Sequence, residues 1–137
     1  MANVTPIKSI PGAGNARTAG EMALGTDTLD PGFIGPDNQN IQLAAYTCVL
    51  TDMGKQILHP FADNNARTFT IPNAVFPVGA ELWFINRRNT VTISIVTEIM
   101  YLSPGGSTGN RTLAANGCAV AKKITATEWM IMGWGLT

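Results

Sequence analysis

His59 is the single histidine of this 137-residue chain and the first residue whose chemistry suggests catalysis. A catalytic histidine needs a nucleophile and an acid that orients its ring, and the acids nearest in sequence are Asp52 and Asp63. However, His59 directly precedes Pro60 at the end of a predicted strand, where a histidine usually caps a turn. We therefore predict that His59 has a structural role.

Three glutamates could form the carboxylate pair of a glycosidase: Glu81, Glu98 and Glu128. Each follows or begins a predicted strand or stands on a predicted solvent face, and no cluster of aromatic residues surrounds a pair of them. We expect solvated carboxylates here, and we expect that the chain is not an enzyme.

The glycine-rich run GGSTG at 105–109 has the composition of a phosphate-binding loop. A P-loop requires a lysine at its end and a helix after it, whereas Asn110, Arg111 and Thr112 lead into a predicted strand. The pair Arg87 and Arg88 is predicted to be a solvated hairpin tip. Because nine basic residues balance nine acidic ones, we expect no nucleic-acid partner.

The two cysteines, Cys48 and Cys118, lie in apolar strand-like runs, where a free cysteine behaves as a small hydrophobic residue. A disulfide would require that their strands be neighbours. With one histidine and no CxxC motif, the sequence predicts no metal site and no cofactor. The run MANVTPIKSI lacks the apolar region of a signal peptide, and no apolar run reaches membrane-spanning length.

Residues 41–137 carry the pattern of an all-β domain, because short alternating apolar runs recur at about ten-residue spacing with no amphipathic helix between them. The predicted strands are 43–50, 55–58, 67–71, 81–86, 90–95, 99–102, 111–113, 118–125 and 128–134. Hairpin turns are predicted at residues 87–89 and at Asn116-Gly117. The pattern predicts an antiparallel sandwich or barrel, jelly-roll-like in outline.

Residues 1–40 form a different segment, with six glycines, four prolines and no hydrophobic periodicity. Its apolar residues are scattered, as anchors along an extended chain would be. We predict an extended N-terminal arm whose anchors are Ile7, Ile10, Phe33 and Ile34.

A second candidate interface lies at the C-terminal end, where glycines flank Trp134 close to Met132. An exposed tryptophan beside methionine is a typical interface anchor. Charged residues make up 13% of the chain, about half the usual share, which favours surfaces that are buried against other proteins. The sequence therefore predicts a homo-oligomer or a component of a larger assembly.

The body also resembles a module found in small virion structural proteins of tailed bacteriophages, over residues 44–137. The motifs that carry the resemblance are AYTCVLTDMGK at 45–55, QILHP at 56–60, NARTFTIP at 65–72, FPVG at 76–79, FIN at 84–86, TVTISI at 90–95, GNRTLAANG at 109–117, EW at 128–129 and GLT at 135–137. The resemblance implies a β-rich virion component and no catalytic residues.

Three functions remain open. The first is a capsid decoration protein on the outer surface of the head, made in the host cytoplasm, bound to the major capsid protein and trimeric by analogy with such proteins. The second is a tail or head-fibre component bound to other virion proteins. The third, less favoured, is a domain that binds host glycans.

Overall fold

The computed structural model describes residues 38–137, so the arm anchors Ile7, Ile10, Phe33 and Ile34 lie outside the described residues. The elements are β1 Gln39–Ile41, β2 Tyr46–Thr47, a 3-10 helix Leu50–Asp52, β3 Gln56–His59, β4 Arg67–Ile71, β5 Glu81–Asn86, β6 Val91–Ile95, β7 Ile99–Leu102, β8 Arg111–Lys123 and β9 Glu128–Leu136. The all-β prediction is confirmed for this part of the chain. The first strand begins at Gln39, two residues before the predicted start of the body.

The first six strands form two parallel ladders. One ladder contains β1, β3 and β5, with Gln39 opposite Gln56 and Gln56 opposite Trp83. The other contains β2, β4 and β6, with Tyr46 opposite Phe69 and Arg67 opposite Val91. Because consecutive strands alternate between the ladders, the chain winds as a coil of three turns. Two neighbouring strands of one ladder are therefore connected through a strand of the other ladder.

The long strand β8 closes one end of this coil. Its second half pairs antiparallel with β5, from Glu81 opposite Lys122 to Asn86 opposite Gly117. Its first half pairs antiparallel with β6, and β9 lies on its other side, antiparallel to β8 and parallel to β7. The described strands thus belong to one sheet of nine strands.

The antiparallel expectation is wrong for most of the sheet, since five of its eight strand pairings are parallel. Alternation along a strand does not distinguish the two arrangements, because both place successive side chains on opposite faces. The jelly-roll-like sandwich or barrel stays a prediction.

Both predicted hairpins are also wrong. The strands on either side of residues 87–89 do not pair with each other, because each pairs with a different half of β8. Asn116 and Gly117 lie within β8, where Asn116 has a φ of 64° and separates the half that pairs with β6 from the half that pairs with β5. Asparagine tolerates this left-handed conformation inside a strand as well as in a hairpin turn, so the Asn-Gly pair does not by itself distinguish the two.

The core lies between the two ladders. Phe69 of β4 and Phe84 of β5 stack with ring centroids 6.4 Å apart, which joins one ladder to the other. The larger core residues are fully buried: Ile57, Phe69, Ile71, Leu82, Phe84, Val91, Ile93, Met100, Leu113, Trp129 and Ile131. Alternate residues of β4 and β6 therefore face this core.

Candidate functional site

The outward side of β5, β8 and β9 is apolar. The strand registers place Trp83, Val120 and Met132 in one row across the three strands, and Ile85, Cys118 and Trp134 in the next row. We call these six residues the β8 face. Trp134 is 81% exposed, and Trp83 and Met132 are each about two-fifths exposed at 42% and 41%. The structure therefore brings the predicted interface residues Met132 and Trp134 together on one surface.

A small cavity of about 160 Å³ opens within the β8 face. Its walls include both tryptophans and Met132, and its lining includes the small residues Ala119 and Gly133. A side chain at Gly133 would overlap the backbone of Cys118 and Ala119, so glycine is what lets β9 approach β8 this closely. The cavity has room for one apolar side chain of a partner.

The border of the β8 face is charged but already paired. Glu81 and Lys122 form the next row of residues after Trp83 and Val120 on β5 and β8. The ammonium group of Lys122 donates to a carboxylate oxygen of Glu81 at 2.9 Å. This contact lowers the pKa of Glu81, mainly through the hydrogen bond and then through the charge of Lys122. An apolar centre with a polar border is the usual anatomy of a protein-binding surface.

Sequence reasoning missed Trp83, Ile85, Cys118 and Val120 as members of this surface. Trp83 lies in β5, whose four central residues are all apolar, so the two faces of this strand look alike in the sequence. The structure places Leu82 and Phe84 inward and Trp83 outward. The available signal was that this strand is apolar on both faces. The face that is turned away from the core then needs either a covering layer or a partner.

The two cysteines differ in environment, and both are free. Cys48 is buried in the core, and this burial raises the pKa of its thiol to about 12. Cys118 lies in the predicted apolar strand but is exposed, on the β8 face. Cys118 is therefore the one accessible thiol among residues 38–137.

His59 is fully buried and both of its ring nitrogens are bonded. The amide nitrogen of Asn86 donates to the carbonyls of Asn89 and Leu113, which directs its Oδ1 to Nδ1 of His59 at 2.7 Å. The other ring nitrogen, Nε2, faces Oδ2 of Asp63 at 3.1 Å. Through these two contacts the imidazole ring connects β3, β5 and the loop after β3.

Asp63 is held as an anion in this cluster. Arg67 donates to it through Nε at 2.6 Å, and Asn65 donates through its backbone and its side chain. The hydrogen bond from Arg67 is the main reason that the pKa of Asp63 lies well below its usual range. Asp52 is elsewhere, accepting from Tyr46, Asn40 and the backbone of Val49. His59 is thus bonded to two side chains inside the fold, and its structural role stays a prediction.

Glu98 is buried, so the expectation of a solvated carboxylate is wrong for it. Lys123, which is 2% exposed, donates to both of its oxygens, and the indole of Trp129 donates to Oε1 at 3.1 Å. Burial opposes ionisation of Glu98, but the hydrogen bonds from Lys123, Trp129 and the backbone of Ala74 outweigh it and lower its pKa. Glu81 and Glu128 are partly exposed, at the start of β5 and β9.

The glycine-rich run at 105–109 lies in the connection from β7 to β8, as expected. Two of its amides bond back to β7: Gly106 donates to the carbonyl of Leu102, and Gly109 donates to that of Met100. Arg87 and Arg88 lie beside the ring of Phe61, with the guanidinium carbon of Arg88 4.5 Å from the ring centroid.

Within residues 38–137 there is no cluster of three or more histidine, cysteine, aspartate or glutamate residues that could hold a metal ion. The described part of the chain also has no helix long and apolar enough to cross a membrane. Comparison of the chain with protein-family models, with curated proteins and with solved structures gives no match.

Proposed function

We propose that this protein is a structural component of a bacteriophage virion, and that it is a decoration protein on the outer surface of the head, made in the host cytoplasm. The observation that carries the proposal is the β8 face, an exposed apolar surface around the cavity beside Trp134. Low charge and the resemblance over residues 44–137 support the same reading. The partner at this surface is the major capsid protein.

The β8 face has the properties of an interface centre. Interface energy is concentrated in a few residues, with tryptophan prominent among them, and these residues fill pockets from which water is excluded. Trp134 would lose most of its exposed area on docking, and a partner side chain would enter the cavity beside it. The paired charges of Glu81 and Lys122 would stay at the border, where they need not be desolvated.

A tail or head-fibre component would use the same surface with another virion partner. Copy number separates the two readings, because a head protein is present in hundreds of copies per particle and a tail protein in about a dozen or fewer. The arm, residues 1–40, takes part in attachment in both. The resemblance favours a trimeric assembly on the particle.

A glycan-binding role has one observation in its favour, the two exposed indoles of Trp83 and Trp134, since an indole can stack on a sugar ring. Sugar recognition also requires polar groups that fix the orientation of the ligand. The charged pair beside the indoles, Glu81 and Lys122, is already satisfied internally. The surface therefore fits a protein partner better than a sugar.

Trp134→Ser should weaken binding of the full chain to particles that lack it by more than about 30-fold, since a central tryptophan contributes about 2 kcal/mol or more. The measurement is co-sedimentation of purified protein with particles assembled without it. Phe61→Ser is the matched control, because Phe61 is an exposed aromatic residue outside the β8 face, and its binding should stay unchanged.

Undiminished binding by a folded Trp134→Ser variant would contradict the proposal. If the variant bound particles normally but the resulting particles no longer adsorbed to host cells, the glycan reading would replace it.

A further inference from the structure

The coil has one closed end and one open end. At the closed end, β8 pairs with the last strand of each ladder, β5 and β6. At the other end, β1 pairs with β3 and β2 pairs with β4, and no strand within residues 38–137 pairs with the outer edge of either. The first turn of the coil therefore presents two strand edges on the same end of the body.

The exposed surface of this open end is apolar, and the one charged residue in its connection, Asp52, is 2% exposed and accepts hydrogen bonds from Asn40 and Tyr46. Five side chains of the open end are between 40% and 54% exposed: Ile41, Leu43, Val49, Leu50 and Met53. Residues 38–51 contain no lysine, arginine, aspartate or glutamate. Coiled β structures usually end in a polar cap, and exposed strand edges usually carry charges that prevent pairing. Within residues 38–137 the open end has neither protection.

The backbone of β1 is oriented for pairing on its outer side. Gln42 donates its N–H to the carbonyl of Leu58 in β3, at 2.8 Å, so Gln42 faces inward along the ladder. Successive residues of a strand direct their peptide groups to opposite sides, so the N–H and C=O of Ile41 face the open edge. An edge of this kind binds an extended segment by strand addition.

We propose that the open end is the contact between two copies of this chain, in which the β1 strands pair antiparallel about a two-fold axis. A second copy is the favoured occupant because identical surfaces that meet must tolerate their own charge, and residues 38–51 carry none while Asp52 is buried. Two-fold symmetry is the commonest way in which identical chains associate. Pairing would place the five apolar side chains of each copy against those of the other.

The contact is small, since one short strand and five half-exposed side chains are less than the roughly 800 Å² per partner of a standard interface. The two copies are therefore expected to associate weakly in solution and to pair fully where the chain is concentrated, as in an assembly. The inference does not depend on the proposed function, because it concerns a surface away from the β8 face.

Sedimentation velocity of the full chain, at about ten to several hundred micromolar, should show a monomer–dimer equilibrium, as a contact of this size predicts. Ile41→Pro should raise the dimer dissociation constant at least tenfold, because proline removes the N–H that faces the open edge and leaves the bonds to β3 intact. Leu43→Lys should also raise the dimer dissociation constant, because it places like charges opposite each other in the contact. Val78→Lys is the control, since Val78 is exposed in the connection before β5.

Far-UV circular dichroism checks that each variant is folded. If Ile41→Pro is not folded, Leu43→Lys tests the contact in its place. A monomer at all concentrations would overturn the inference, as would an oligomer that persists in folded Leu43→Lys. If the full chain stayed monomeric and Leu43→Lys instead weakened particle binding, a virion protein would be the occupant. If Trp134→Ser abolished self-association, the contact would belong to the β8 face.

Discussion

Lys123→Met should lower the free energy of unfolding by about 3–5 kcal/mol at pH 7, because it leaves the buried carboxylate of Glu98 without its cation. The neighbouring Lys122 provides the matched control. It forms an ion pair of similar length with Glu81 at the surface, and Lys122→Met should cost at most about 1 kcal/mol. Urea unfolding of the three proteins measures both differences.

The effect of Lys123→Met should depend on pH. In the natural protein the pKa of Glu98 is lowered, so ionised Glu98 contributes stability above its unfolded pKa, and this contribution is lost as the pH falls through the folded value. In the Lys123→Met variant the carboxyl group of Glu98 is still buried but has no cation beside it, so burial favours its protonated form. The difference in the free energy of unfolding between the natural protein and Lys123→Met should therefore shrink from pH 7 to pH 4. A difference that is small at pH 7, or that grows on acidification, would contradict this account of the pair.

Asn86→Asp should destabilise the protein by about 2–4 kcal/mol, although the two side chains have nearly the same shape. The substitution replaces the amide donor with an oxygen, and the carbonyls of Asn89 and Leu113 each lose a hydrogen bond. A buried polar group left without a partner costs about 1–3 kcal/mol. Chemical denaturation measures the change.

The control for Asn86→Asp is Asn64→Asp, at an exposed residue whose side-chain oxygen accepts from Arg88. Its effect should stay within about 0.5 kcal/mol. If Asn86→Asp were equally mild, the orientation in which the Asn86 amide nitrogen donates to Asn89 and Leu113 would be wrong.

The strands could be predicted from the sequence because alternation is local. The run Val91, Thr92, Ile93 shows its inward face directly, and the structure buries Val91 and Ile93. Strand pairing depends on contacts far apart in sequence, and alternation is the same in parallel and antiparallel ladders. The coil, and the division of β8 between β5 and β6, could therefore not be predicted from these runs.

The candidate interface was predictable in part. Trp134 could be found because glycines flank it and offer it no packing partner within its own strand. Trp83 could not, because its neighbours Leu82 and Phe84 are equally apolar and only the register of β5 against β8 shows which face is inward. Glu98 was misjudged for a related reason, because Lys123 and Trp129 meet it only after the chain has folded.

The most direct test of the proposed attachment uses the accessible thiol of Cys118, which lies on the β8 face. In the free protein a maleimide reagent should label Cys118 and leave Cys48 unmodified, since Cys48 is buried and its pKa is raised to about 12. In intact purified virions Cys118 should be protected, and it should react once the particles are dissociated in denaturant. Mass spectrometry of the labelled chain, recovered from both preparations, gives the result. Labelling of Cys118 in intact virions to the same extent as in the free protein, or absence of the chain from the virion, would contradict the proposal.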